Sequence, residues 1–196
     1  MLASINPLGE RARERRWGVT VAAYLLGSTT AAVLLGGLLG TVGHALSLGP
    51  GPTALLVVAL TALALAADLG LGGLRLPTVH RQVDKDWLGR YRGWVVGAGF
   101  GVQLGLGVVT IVNTAGVYLM LALALLTGSA AAGALVGGAF GLVRALVILV
   151  VARVRRPDQL RVALRRVNAW RPLSERVGLA VQALVLVAAS AVAIAQ

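Results

Sequence analysis

Residues Trp17–Gly43, WGVTVAAYLLGSTTAAVLLGGLLGTVG, contain no Asp, Glu, Lys or Arg. A helix needs about 20 consecutive apolar residues to cross the hydrocarbon core of a bilayer, so this stretch reads as a membrane span. Arg11, Arg13, Arg15 and Arg16 stand immediately before it. A secretory signal has an apolar region of about 7–15 residues closed by a small-residue cleavage site. This stretch runs well past that length, and the expectation is a retained first span.

The rest of the chain agrees with its start. Of 196 residues, 58% are hydrophobic, 26 are glycine and only 13% are charged, with a mean hydropathy of +0.85. A soluble domain carries about 25% charged residues, and a chain this short has too little interior to hide the apolar surplus. The fold class that follows is all-α, a polytopic transmembrane helix bundle forming a single domain over 1–196. Four more apolar stretches bring the expected spans to five: Thr53–Gly73, Gly93 to about Thr127, Ser129–Ala152, and about Ser174 to Gln196. Gly49-Pro50-Gly51-Pro52 reads as a helix-breaking turn before the second.

A net charge of +11 would suggest nucleic acid for a soluble protein, so the positions of the charges decide its meaning. Arg11 to Arg16 precede span one; Arg75, Arg81, Lys85, Arg90 and Arg92 lie between spans two and three. Arg153, Arg155, Arg156, Arg161, Arg165, Arg166, Arg171 and Arg176 lie between spans four and five. Arg144 is the one basic residue elsewhere. Five crossings with the N-terminus cytoplasmic satisfy the positive-inside rule, which predicts a bacterial plasma-membrane protein with its C-terminus outside and no nucleic-acid partner. Trp17, Trp87, Trp94 and Trp170 border the basic segments, as an interfacial belt requires. Trp87, Tyr91 and Trp94 are spaced to share one helical face.

Span three is too long for one straight crossing: residues 93–127 would measure ~52 Å against a core of ~30 Å. A tilted helix, or one broken around Thr110–Gly116, keeps the parity of the charges, and the break is the preferred reading. Such breaks are tolerated only where protein or a water-filled cavity covers the freed backbone. In the basic segment 153–173, Pro157–Trp170 has a mostly helical apolar pattern with Arg161, Arg165 and Arg166 on its polar side. Asp158 suits its cap or first turn. An interfacial helix touching anionic lipid headgroups fits, as does a plain positive-inside linker.

Gly36/Gly40, Gly97/Gly101, Gly101/Gly105, Gly133/Gly137 and Gly137/Gly141 each stand four residues apart, which makes flat helix faces and predicts close packing. The faces also offer a surface for self-association. Two ionisable residues remain inside spans, Asp68 and Arg144, ~10 Å and ~13 Å from the basic edge. A central arginine is costly on insertion scales, about 2.5–3.5 kcal/mol, which favours pairing. An Asp68–Arg144 contact is therefore expected, with Gln103 and Gln182 completing a polar cluster. The pair could serve assembly alone, or both side chains could snorkel to the headgroups.

Catalytic constellations are missing from the pattern. Asp68 has no second membrane carboxylate for paired-acid chemistry, and the chain has no cysteine, which excludes disulfides, thiol relays and cysteine metal sites. His44 and His80, the two histidines, read as ordinary interfacial residues, so no metal or cofactor is expected.

Three stretches carry a resemblance. Arg15–Ser28, RRWGVTVAAYLLGS, with the Gly36–Gly43 cluster after it, is similar to the second helix of the transmembrane CcdA/DsbD thiol–electron carriers, part of the wider LysE-like group. Arg92–Gly107, RGWVVGAGFGVQLGLG, resembles the glycine-rich helix that opens that family's second repeat, and Leu126–Gly133, LTGSAAAG, resembles the turn that follows. The resemblance implies a Pro-Cys motif in the first helix of each three-helix repeat. This chain departs from it: there is no cysteine, no proline in span three, and one helix fewer at the N-terminus, where Met1–Pro7 reads as a remnant. The fold can survive that departure but the thiol relay cannot, and no catalytic residue carries over. The expectation is a non-enzymatic scaffold or accessory subunit, with a membrane-protein partner or a second copy of itself. The alternative is a small-solute or ion transporter using the broken span and the polar cluster; a membrane enzyme is the weakest reading.

Overall fold

The computed structural model describes residues 5–73, 90–107 and 114–195. Its regular elements are all helical: α1 (Pro7–Ala12), α2 (Trp17–Leu46), α3 (Pro50–Asp68), α4 (Gly93–Gly105), α5 (Gly116–Leu126), α6 (Ala130–Leu146, extended by a 3-10 turn Val147–Val151), α7 (Pro157–Ala169) and α8 (Arg171–Ile194), with one further 3-10 turn at Leu71–Gly73. Four stretches are long and apolar enough to cross a membrane: α2, α3, α6 with its extension, and the α7–α8 stretch, while α5 is a shorter apolar helix. Helices dominate because every backbone N–H and C=O in lipid must be satisfied within the chain.

The centre of the bundle is α2, with α4 against one side and α6 against another. Glycine makes this possible: a Cβ on Gly97, Gly101 or Gly105 would collide with the backbone oxygens of Thr20, Tyr24 and Ser28 on α2. One on Gly36 would meet Gly133, and one on Gly137 would meet Ala32. Backbones therefore touch directly, and dispersion between them holds the helices where lipid supplies no hydrophobic drive. Ser28 adds one directional bond, its hydroxyl donating to the Gly141 carbonyl at 2.9 Å.

These contacts also fix direction. Ascending numbers on α4 meet ascending numbers on α2, so the two run parallel, whereas Gly36–Gly133 and Ser28–Gly141 make α6 antiparallel. Gly43, near the end of α2, approaches Leu125 of α5. Thus α4 and α5 follow one another along α2 as a single interrupted crossing. At one end of the bundle, Ile5, Val21, Val96, Val151, Val154 and Ala163 share one buried apolar cluster, so the arginine-bearing ends of α2, α4, α6 and α7 gather there. On the outside, α3 packs on α5 and α8, with Ala64, Ala115 and Leu119 buried together.

Several expectations change in detail. The third span is made of two helices of 13 and 11 residues, about 20 Å and about 17 Å long; neither crosses alone. The helix stops at Gly105 and resumes at Gly116; the expected break covered Thr110–Gly116, of which 110–113 lie outside the described residues. Pro50 and Pro52 do not break α3 but open it, with Gly49 as its N-cap, because a first-turn proline gives up an N–H that has no partner there anyway. The second span ends at Asp68, short of the expected Gly73, and Gly70 turns the chain with φ +71°. Tyr91 and Trp94 do not share a helical face, since Arg92 is extended (φ −60°, ψ 148°) between them; Trp87 lies outside the described residues, as do Arg75, Arg81, Lys85 and His80.

Candidate functional site

The interruption of the third span leaves two helix ends inside the bundle, each with orphan backbone groups. The first is the C-terminal end of α4. Gly107 turns it off with φ +73°, and a Cβ there would come within 3.1 Å of Val117 on α5 and 3.8 Å of an Arg144 nitrogen. Arg144, half-buried on α6, donates from Nη1 to the Leu104 carbonyl at 3.4 Å, and its guanidinium lies 5.4 Å from the centre of the Phe140 ring. A cation at a helix C-terminus opposes the partial negative charge there.

The second end is the N-terminus of α5. Its N-cap, Ala115, brings no side-chain cap; Asp68 supplies one from α3, with Oδ1 accepting from the Ala115 N–H at 2.6 Å. The other carboxylate oxygen accepts from Gln182 Nε2 at 2.7 Å. Gln182 is 4% exposed and is the only buried residue of α8, an inside-out arrangement in which a membrane helix turns its one polar midpoint inward. Gly116 leaves room beside it, a Cβ there lying 3.6 Å from Gln182 Nε2.

Among the described residues no ion pair joins Asp68 to Arg144. The expected direct contact is replaced by two separate ones, because each charge faces a helix end of opposite polarity rather than the other charge. Asp68 and Gln182 are brought together; Gln103, half-buried on α4, makes no hydrogen bond among the described residues. His44 is exposed at the far end of α2. No group of three or more metal-ligating side chains occurs among the described residues.

Sequence reasoning missed Glu10. It is 0% exposed, and Oε2 accepts from the Thr20 hydroxyl at 2.6 Å. The signal was present: Asn6 followed by Pro7 is a helix start, and Asn6 does cap α1, accepting from the Gly9 N–H at 2.9 Å.

Membrane-length helices, glycine-bared backbones and charges spent on helix ends define a polytopic integral membrane protein with a discontinuous span. The particular family follows from comparison: the chain belongs to the cytochrome C biogenesis protein transmembrane region family, whose model matches residues 2–170. It is similar to the methylamine utilization protein MauF of Paracoccus denitrificans, 38% identical over 157 residues, or 79% of this chain and 54% of that protein. MauF of Methylophilus methylotrophus is 34% identical over 138 residues, covering 69% and 48%, and MauF of Methylobacillus flagellatus is 31% identical over 154 residues, covering 76% and 54%. The chain spans about half the length of these curated relatives. No solved structure matches.

Proposed function

We propose that this is a non-enzymatic accessory protein of the membrane, retaining its family's helical scaffold without thiol chemistry and serving methylamine utilization as the MauF name indicates for its relatives. The observation that carries the reading is the zero cysteine count in a member of a family whose resemblance implies a thiol relay. The interior charges support it as well: Asp68 and Arg144 are engaged with the ends of α5 and α4, which is an assembly role. In this reading the protein sits in a bacterial plasma membrane with its N-terminus inside and its C-terminus outside, as the clustering of arginine at one end favours.

Its partners are a membrane protein or a second copy of this chain, together with anionic headgroups at 153–173. On α7, Leu160 and Ala163 pack on the bundle, leaving Arg161, Arg165 and Arg166 exposed for acidic lipid. The test is functional complementation: the chain is expected to restore growth on methylamine to Paracoccus denitrificans lacking MauF, and gentle detergent extraction to retain a stoichiometric partner. Solute flux in proteoliposomes that is lost on replacing Asp68 or Arg144 would overturn it in favour of transport.

A further inference from the structure

The end of the bundle away from the arginines does not close. Residues 47–49 join α2 to α3, yet these two helices form no packed interface among the described residues. Helix α2 packs on α5, and α3 packs on α5 and α8, but neither α2 nor α5 packs on α8. The four helices therefore surround a cavity of about 870 Å³, within the size range of a ligand site.

Its walls select the chemistry of what can fill it. No Asp, Glu, Lys or Arg lines it, and Ala54, Val57, Leu125, Val185 and Ala189 make its sides. Three hydroxyls lie along it, but each donates to a carbonyl three or four residues back. Ser47 bonds to His44 at 3.4 Å, Thr53 to Gly49 at 2.9 Å and Thr127 to Ala124 at 2.7 Å. His44 is the one titratable group on the lining, and it sits in the last turn of α2, at the mouth. A hydrated ion or a polar solute would find little here to replace its water. Shape narrows the choice further. The α3 wall runs from Pro50 to Val57, about 10 Å, and one turn deeper Thr61 is 0% exposed. A partner's membrane-spanning helix needs a groove along a core of about 30 Å, so it cannot seat in a cavity this shallow, whereas a flexible chain can.

We propose that this cavity is a binding site for the acyl chain of a phospholipid from the leaflet at the α2–α3 turn. An apolar cavity holds no water, and left empty its lining forgoes dispersion contacts. In a bilayer the surrounding solvent is itself hydrocarbon, as apolar as leucine, and a single chain entering from the mouth fills the gap between α2–α5 and α3–α8. The site lies at the opposite end from the arginine-bearing segment 153–173, and the inference stands without the accessory reading.

The test uses the full chain in nanodiscs of phosphatidylcholine carrying a diazirine midway along one acyl chain. After photolysis, crosslinks are expected to concentrate on residues 50–57 and 185–192. Ala189→Phe and Val57→Phe fill the cavity from facing walls, and each should cut that capture about tenfold, as overpacking an occupied site does. Both positions are half-buried, and thermal unfolding should stay at the parent value because protein replaces lipid there. Leu184→Phe, at a residue 70% exposed on α8 and off the cavity lining, should leave capture unchanged. Crosslinks on these two stretches no denser than on exposed Leu26 and Leu34 of α2 would mark ordinary surrounding lipid and overturn the proposal. So would full capture in both filled variants. The chain carries no cysteine, so Val57→Cys adds a separate arm: reaction with an impermeant thiol reagent as fast as exposed Ser47→Cys would show a water-filled vestibule and overturn it too.

Discussion

Asp68 is the last residue of α3, the end at which a helix disfavours a carboxylate. Its position is explained by what it faces: the Ala115 N–H of another helix's first turn and the Gln182 amide. Hydrogen bonds to charged groups contribute about 1.5–3 kcal/mol each. Asp68→Ala orphans a buried backbone N–H and a buried amide, and should destabilise the protein by about 3 kcal/mol; Asp68→Asn, which keeps an acceptor, should cost less. Thermal unfolding in detergent measures both. The double exchange Asp68→Arg with Arg144→Asp separates this account from a simple ion pair. A pair would be restored by the exchange. Two independent caps would not, because arginine would then meet the N-terminal end of α5 and aspartate the C-terminal end of α4. The double variant is expected to be at least as unstable as the two singles summed, since separate sites add; recovery of stability would refute the capping account.

At the scale of the element, glycine decides which helices meet. A Cβ on Gly137 would strike the Ala32 carbonyl, while one on Gly178 meets nothing within 4 Å. Gly137→Ala must force α6 off α2 or strain both, and overpacking costs about 1–3 kcal/mol. Gly178→Ala only improves helix propensity and should gain up to about 1 kcal/mol. A thermal-shift comparison showing equal effects at the two positions would contradict direct backbone contact. Glycines spaced four apart were legible in the sequence as flat faces, because spacing alone sets which residues share a helix side. Their partners were not, since hydropathy carries no information on lateral neighbours. The same gap explains Asp68 and Arg144: counting residues at ~1.5 Å each gives only an expected depth, and which helix end each faces depends on α3 lying beside α5 and α6 beside α4. Pro50 misled for a local reason, its meaning reversing between a helix interior and a first turn. Glu10 was hidden by its arginine neighbours, which drew attention to charge rather than to the helix start at Asn6-Pro7.

For the molecule as a whole, the parallel run of α2 with α4 and the antiparallel run of α6 place the arginine-bearing ends together, and one compartment must then receive them all. An arginine left in the bilayer is costly, and cytoplasmic loops carry the basic excess, so that compartment is expected to be the cytoplasm. The exposed residues Glu14 and Gln159 lie at the basic end, and exposed Ser47 at the opposite one. Single cysteines at these three sites, in a chain with none of its own, report sidedness without background. In intact cells, an impermeant reagent should label Ser47→Cys and leave Glu14→Cys and Gln159→Cys unlabelled until the membrane is opened. The pattern tests two things separately. Glu14→Cys and Gln159→Cys labelling from the outside together would invert the orientation but keep the bundle. If those two sites reacted from opposite sides, one crossing too many or too few would be required. The interrupted span of α4 and α5 would then have to be a re-entrant hairpin or two full passages, and the capping of its ends by Asp68 and Arg144 would lose its geometry.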